Sequence, residues 1–153
     1  LNPQHGQITQ HNLLTLPQGK ITMNGLLKNV CVGILFIENW FNGRGMYILD
    51  GKIEDSATAE ISRSQVWQWL RHQATLDDGT TITRILIRRL IFYFVKNEIM
   101  KRKKELPQYD GSILRSAARM FEQIVNQRNF PPFITSFLYD QDIFWQHSDS
   151  CWL

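Results

Sequence analysis

Residues 113–125 read ILRSAARMFEQIV, and the reading of this stretch decides the fold class. Ile113, Ala117, Phe121 and Ile124 recur at helical spacing, with Leu114, Ala118 and Val125 beside them. That pattern places one apolar stripe along an α-helix. Pro107 and Gly111 punctuate the chain before it, and Pro131-Pro132 after it introduces a last short helix from Phe133 to about Tyr139.

Upstream, a helix dense in Ile, Leu, Phe and Tyr runs to about Lys104, and its apolar content predicts that it is largely buried. Asp77-Asp78-Gly79 is a turn before it, and Thr81 is placed to cap it. A further helix is expected from the Asp55-Ser56 boundary to about His72, with Ala59, Ile61, Val66, Trp69 and Leu70 on its apolar face. A long helix from about Thr22 to Phe41 carries Met23, Leu26, Leu27, Val30, Ile34, Ile37 and Phe41 at helical spacing, against Asn24, Lys28 and Glu38. Gly25 and Gly33 either weaken it or permit close packing. Asn42-Gly43-Arg44-Gly45 stops that helix, and an extended loop is expected from there to Glu54. Before Lys20 the chain is polar, broken by Pro3 and Pro17, with a short helical candidate at Gln10–Leu16. No run alternates convincingly with period two, so the expected architecture is all-α: about five helices and one unusually long loop.

Composition restricts the function classes. The chain has 153 residues, 43% hydrophobic and 20% charged, the profile of one globular domain. Leu1 in place of Met points to a piece of a longer protein. The net charge of +3 comes largely from Lys101-Arg102-Lys103-Lys104, which closes an apolar-periodic segment, where cations complement a helix C-terminus. No nucleic acid is therefore expected as a partner. Cys31 and Cys151 form neither a disulfide framework nor a zinc spacing. The longest apolar runs, Val30–Ile37 and Leu90–Val95, are too short to cross a bilayer, and no signal peptide is legible at the N-terminus. An intracellular protein that does not engage membranes is expected.

Side chains taken singly have structural explanations. Glu54-Asp55-Ser56 reads as a helix start, where carboxylates and hydroxyls satisfy orphan N–H groups. His5, His11, His72 and His147 show no metal-ligand spacing, Ser62 and Ser64 lack the glycines of a nucleophile elbow, and Trp67 and Trp69 read as packing anchors.

The longer run Glu54-Asp55-Ser56-Ala57-Thr58-Ala59-Glu60-Ile61-Ser62-Arg63, followed by Gln65-Val66-Trp67-Gln68-Trp69, resembles the signature of the malate synthases, in which an acidic pair precedes Ala-Ala-Thr-Ala-Glu-Ile-Ser-Arg at a helix start. Gly25-Leu26-Leu27-Lys28-Asn29-Val30, Leu76-Asp77-Asp78-Gly79 and Ala117-Ala118-Arg119-Met120-Phe121-Glu122 are similar to that family in register. The resemblance covers about Thr9 to Tyr139 and is nearer the shorter isoform of bacteria, plants and fungi. Departures are concentrated in two places. Gly45-Met46-Tyr47-Ile48-Leu49 stands where the family commonly has Gly-Cys-Val-Pro-Ile, and Leu90–Val95 is aromatic where polar and acidic residues are usual.

The resemblance implies a helical plug closing one end of a TIM barrel, with residues 1–21 as a connection from an upstream domain, 22–145 as the plug and 146–153 as a tail. It implies condensation of acetyl-CoA with glyoxylate to give malate and CoA, in the glyoxylate cycle. Asp55 stands at the position of the catalytic carboxylate, and Glu54 is a supporting residue that caps or ion-pairs. Arg63 pairs with Glu60 or with the barrel. Mg2+ is implied as a cofactor, its ligands lying in the barrel and not in this segment, so the segment alone is expected to be inactive. The location implied is cytoplasmic or peroxisomal, although Ser150-Cys151-Trp152-Leu153 resembles a peroxisomal Ser-Lys-Leu ending only loosely. The rival expectation is a non-catalytic helical interaction domain derived from a malate synthase. A basic helical nucleic-acid binder would instead show salt-sensitive binding to DNA or RNA.

Overall fold

In the computed structural model, which describes residues 19–49 and 51–140, Thr22 opens the first helix. Its hydroxyl accepts a hydrogen bond from the Gly25 N–H at 3.0 Å, one of the donors that a helix start leaves without a partner. Helix α1 then runs Met23–Phe41. Leu26, Val30, Ile34 and Ile37 are buried, as their spacing predicted. Two short strands follow, β1 (Met46–Leu49) and β2 (Lys52–Asp55), and after them helix α2 (Ser56–Arg71), helix α3 (Arg84–Glu105) and helix α4 (Ser112–Asn126). Residues 134–140 form helix α5. The Gln10–Leu16 candidate and the 146–153 tail lie outside the described residues.

The fold is all-α apart from the β1/β2 pair, with α1 at its centre, packed against α2, α4 and α3. Gly33 explains how α1 and α4 approach so closely. A Cβ added there would lie 2.2 Å from Cε2 of Phe121, so the ring sits against bare backbone. Gly33→Ala is therefore expected to destabilise the fold by about 1–3 kcal/mol through overpacking. Urea titration followed by far-UV circular dichroism measures this directly, and an unchanged midpoint would mean that the ring moves aside freely.

Several expectations are corrected by the tertiary structure. The stretch from Met46 to Asp55 is a hairpin and not an extended loop: β1 and β2 pair antiparallel, from Met46 opposite Asp55 to Leu49 opposite Lys52. Thr83, not Thr81, caps α3, accepting from the Leu86 N–H at 3.2 Å, because Thr81 is held in a bridge to Thr75 that closes the Asp77-Asp78-Gly79 turn. Glu38, placed by periodicity on the polar side of α1, is buried. It meets Arg102 across the core at 2.6 Å and 2.9 Å, and Arg102 also bonds Glu98 and the Tyr109 hydroxyl. Finally, α3 is not largely buried. Only Ile87, Ile91 and Ile99 are fully inside, while Ile85, Phe92, Tyr93 and Met100 are exposed. Ile61 and Ile113, both assigned to apolar stripes, are exposed as well.

Candidate active site

Asp55 occupies the junction of β2 and α2, where extended backbone (φ −120°, ψ −168°) turns into helix. Its Oδ1 accepts from the N–H of Ala57 at 2.9 Å and of Thr58 at 3.3 Å. The sequence-based cap assignment is therefore right, and the capping geometry has a chemical consequence. One carboxylate oxygen is fixed by two backbone donors. The other, Oδ2, accepts no hydrogen bond from a described residue and is carried on an exposed side chain. The positive end of the helix dipole complements the charge.

The hairpin sets what surrounds that oxygen. Opposed residues of an antiparallel pair share a face, and faces alternate along each strand. Met46, Ile48, Ile53 and Asp55 therefore lie on one side of the ribbon, and the three apolar members are exposed. Tyr47, Leu49, Lys52 and Glu54 lie on the other. Tyr47 is buried and its hydroxyl donates to the carbonyl of Val32 at 3.1 Å, which fastens the ribbon to α1. A cleft of about 670 Å³ remains between hairpin, α1 and α3, lined by Cys31, Tyr47, Leu49, Phe94 and Lys101 among others. Gly51 at the tip has φ +74°, the conformation a tight two-residue connection demands. The signal was present as Asp50-Gly51 between Met46-Tyr47-Ile48-Leu49 and Lys52-Ile53-Glu54-Asp55, a dipeptide that favours type I′ turns.

Burial pushes the pKa of the Tyr47 phenol far above its ordinary value, with the charges of Glu54 and then Cys31 adding to the effect. The phenol stays protonated as a donor in the folded state. A group whose folded value is raised contributes stability that is complete below the unfolded value and fades above it. Stability is therefore expected to decline as pH rises past about 10. Tyr47→Phe should flatten that decline and cost about 1 kcal/mol at neutral pH from the lost hydrogen bond. Denaturation midpoints at neutral and alkaline pH test both effects. Equal slopes for the two proteins would remove Tyr47 as the source.

The remaining sequence-picked residues divide clearly. Arg63 is buried and entirely engaged: Nε bonds Glu60 at 2.6 Å, Nη1 and Nη2 donate to the carbonyls of Pro131 and Pro132 at 2.8 and 3.0 Å, and the guanidinium lies 4.0 Å from the Phe130 ring centroid. Its other possible role, reaching outward, is closed by this network. Glu60 in turn accepts from the Ile134 N–H, so the pair locks α2 to the start of α5. The indole of Trp67 donates to the Gln127 carbonyl at 2.9 Å, an anchor between α2 and the C-terminal end of α4. Glu54 is half-buried and makes neither cap bond nor ion pair among the described residues. His72 is exposed at the C-terminus of α2. Among the described residues no group of three His, Cys, Asp or Glu could hold a metal ion, and no helix is long and apolar enough to cross a membrane.

Comparison with known proteins gives this geometry a context. The protein-family model described as malate synthase, C-terminal, matches residues 20–142. The chain is similar to the malate synthase of Dictyostelium discoideum, with 40% identity over 121 residues. It is 38% identical to the malate synthase of Myxococcus xanthus and 33% identical to malate synthase A of Escherichia coli, each match covering 88% of this chain. The three matches span 21%, 24% and 25% of those proteins, so the chain corresponds to about a quarter of their length or less.

Proposed function

The chain belongs to the malate synthase family, as its C-terminal domain, and on that premise we propose that Asp55 is the catalytic base of the whole protein. The reaction proposed is the condensation of acetyl-CoA with glyoxylate, followed by hydrolysis of the thioester to malate and CoA. The observation that carries the proposal is the asymmetry of the Asp55 carboxylate. Oδ1 is held by two backbone N–H groups and Oδ2 is left to accept a proton from outside the chain.

A methyl group beside a thioester is a very weak carbon acid, so the base must be directed and kept from wandering. The cap bonds supply that direction. Asp55 takes the methyl proton on Oδ2, and the electron pair left on carbon forms the new bond to the aldehyde carbon of glyoxylate. The C=O π pair moves onto the aldehyde oxygen, which takes up a proton to become the hydroxyl. The apolar face of Met46, Ile48 and Ile53 around Asp55 is suited to being covered. Covered by the rest of the protein, the exposed carboxylate becomes part of an enclosed, water-poor site. Magnesium, implied by the family resemblance, would draw its ligands from outside this segment.

The test is Asp55→Asn in the full-length protein, assayed by CoA release from acetyl-CoA in the presence of glyoxylate. Loss of turnover with an unchanged unfolding midpoint supports the base. Turnover near that of the unmodified protein would assign Asp55 to capping alone.

A further inference from the structure

The junction that carries Asp55 is held from two sides, and both anchors end on α1. On the helix side, α2 packs against α1, and Asn29 Nδ2 donates to Gln65 Oε1 at 2.7 Å. On the strand side, the ribbon meets α1 through Tyr47, whose hydroxyl donates to the Val32 carbonyl. Among the described residues of the two strands Tyr47 alone is buried. Leu49 and Glu54 are half-buried and the others are exposed. Tyr47 stands opposite Glu54, the residue before Asp55, and cross-strand partners lie about 5 Å apart. The anchor therefore acts on the ribbon beside the junction.

Little else fixes the ribbon. The chain from Gly43 to Asp55 contains no proline, so no ring locks a backbone angle there. It enters β1 past Gly45 and turns at Gly51, and a Cβ added at either would meet nothing within 4 Å. The hydroxyl supplies the missing restraint. A buried hydroxyl left without a partner carries its full desolvation cost. A ribbon displacement that stretches the 3.1 Å bond to Val32 strands that group inside the fold. One ribbon position is selected.

We propose that Tyr47 is a positioning residue for the reaction: its hydroxyl, bonded to Val32, aims the Asp55 carboxylate, an inference that rests on the assignment of Asp55 as the base. The backbone at Asp55 (φ −120°, ψ −168°) is shared by β2 and α2. With ribbon and helix both referred to α1, those angles are set. Freeing the ribbon lets them relax. Oδ1 stays pinned by the Ala57 and Thr58 N–H groups, so a tilt of the backbone swings Oδ2 about a fixed point. Proton transfer is steep in distance, and a misplacement of about 1 Å costs about a hundredfold in rate.

The experiment is Tyr47→Phe in the full-length protein, alone and combined with Asp55→Asn. Phenylalanine keeps the ring and removes only the hydroxyl. The kcat for CoA release in the presence of glyoxylate is expected to fall about ten- to hundredfold. KM for acetyl-CoA and for glyoxylate should stay within about twofold, since Oδ2 acts in the transition state and not in ground-state binding. In the Asp55→Asn background Tyr47→Phe should add no further loss, because an absent base cannot be misaimed. An unchanged kcat in Tyr47→Phe, with Asp55→Asn inactive, overturns the positioning role and leaves the base standing. An equal further loss in the Asp55→Asn background overturns it too, since the effect then bypasses Asp55. So does a fall in kcat matched by the fraction of protein unfolded at the assay temperature, read by circular dichroism. Full turnover by Asp55→Asn alone overturns the base, and the positioning role with it.

Discussion

Asp55→Asn in the full-length protein is expected to lower the rate of malate formation by about three orders of magnitude, in the range typical of removing a general base. Its thermal stability should scarcely change. Both halves of that result follow from the same two hydrogen bonds. An asparagine side-chain oxygen accepts from the Ala57 and Thr58 N–H groups as the Asp55 Oδ1 does, and Asn caps a helix as well as Asp. What Asn cannot do is take a proton on the second atom, where it carries an amide NH2. Asp55→Ala removes both functions, so it should show the same loss of rate with an added destabilisation of about 1 kcal/mol. The pair of variants separates chemistry from capping. Solvent exchange of the acetyl methyl protons of acetyl-CoA, followed by NMR, isolates the proton-transfer step. If Asp55→Asn leaves that exchange intact, the base is another residue.

The second large effect has the opposite character. Arg63→Ala should destabilise the domain by about 3–5 kcal/mol, the range for breaking a buried charge pair from one side. The side chain is 1% exposed, and its removal leaves Glu60 without its partner and the carbonyls of Pro131 and Pro132 without donors. It also opens a cavity beside Phe130. Arg63→Lys retains a charge but cannot reach three acceptors with one ammonium group, so an intermediate loss is expected. Differential scanning calorimetry reads the series. A drop in melting temperature equal for Ala and Lys would show that the planar fork, and not the charge, holds α2 to α5. Loss of activity in these variants should follow loss of fold, in contrast to Asp55→Asn.

The two residues also mark where sequence reading reached and where it stopped. Asp55 was legible as a cap from its neighbours alone, because a cap is a local event within three residues of chain. Its proposed role as a base was suggested only by the longer resemblance, and the asymmetric carboxylate is what supports that proposal. Arg63 was legible as a residue that pairs with Glu60, one turn away. The Pro131 and Pro132 carbonyls lie 68 and 69 positions along the chain. No local pattern announces such partners.

The same division runs through the whole chain. The four long helices were determined by sequence alone, since helical periodicity acts over a few positions, whereas Gly33 was read as either a weak point or a close approach until Phe121 was seen against it. The hairpin had a local signal too, in Asp50-Gly51, but four-residue strands are too short for alternation to stand out against their background. Tertiary structure alone decided the burial of Glu38, whose partner Arg102 comes from another helix, and the exposure of Phe92, Tyr93 and Met100. Apolar composition states that a side chain gains by leaving water. Only the arrangement of the other helices states whether anything is there to cover it.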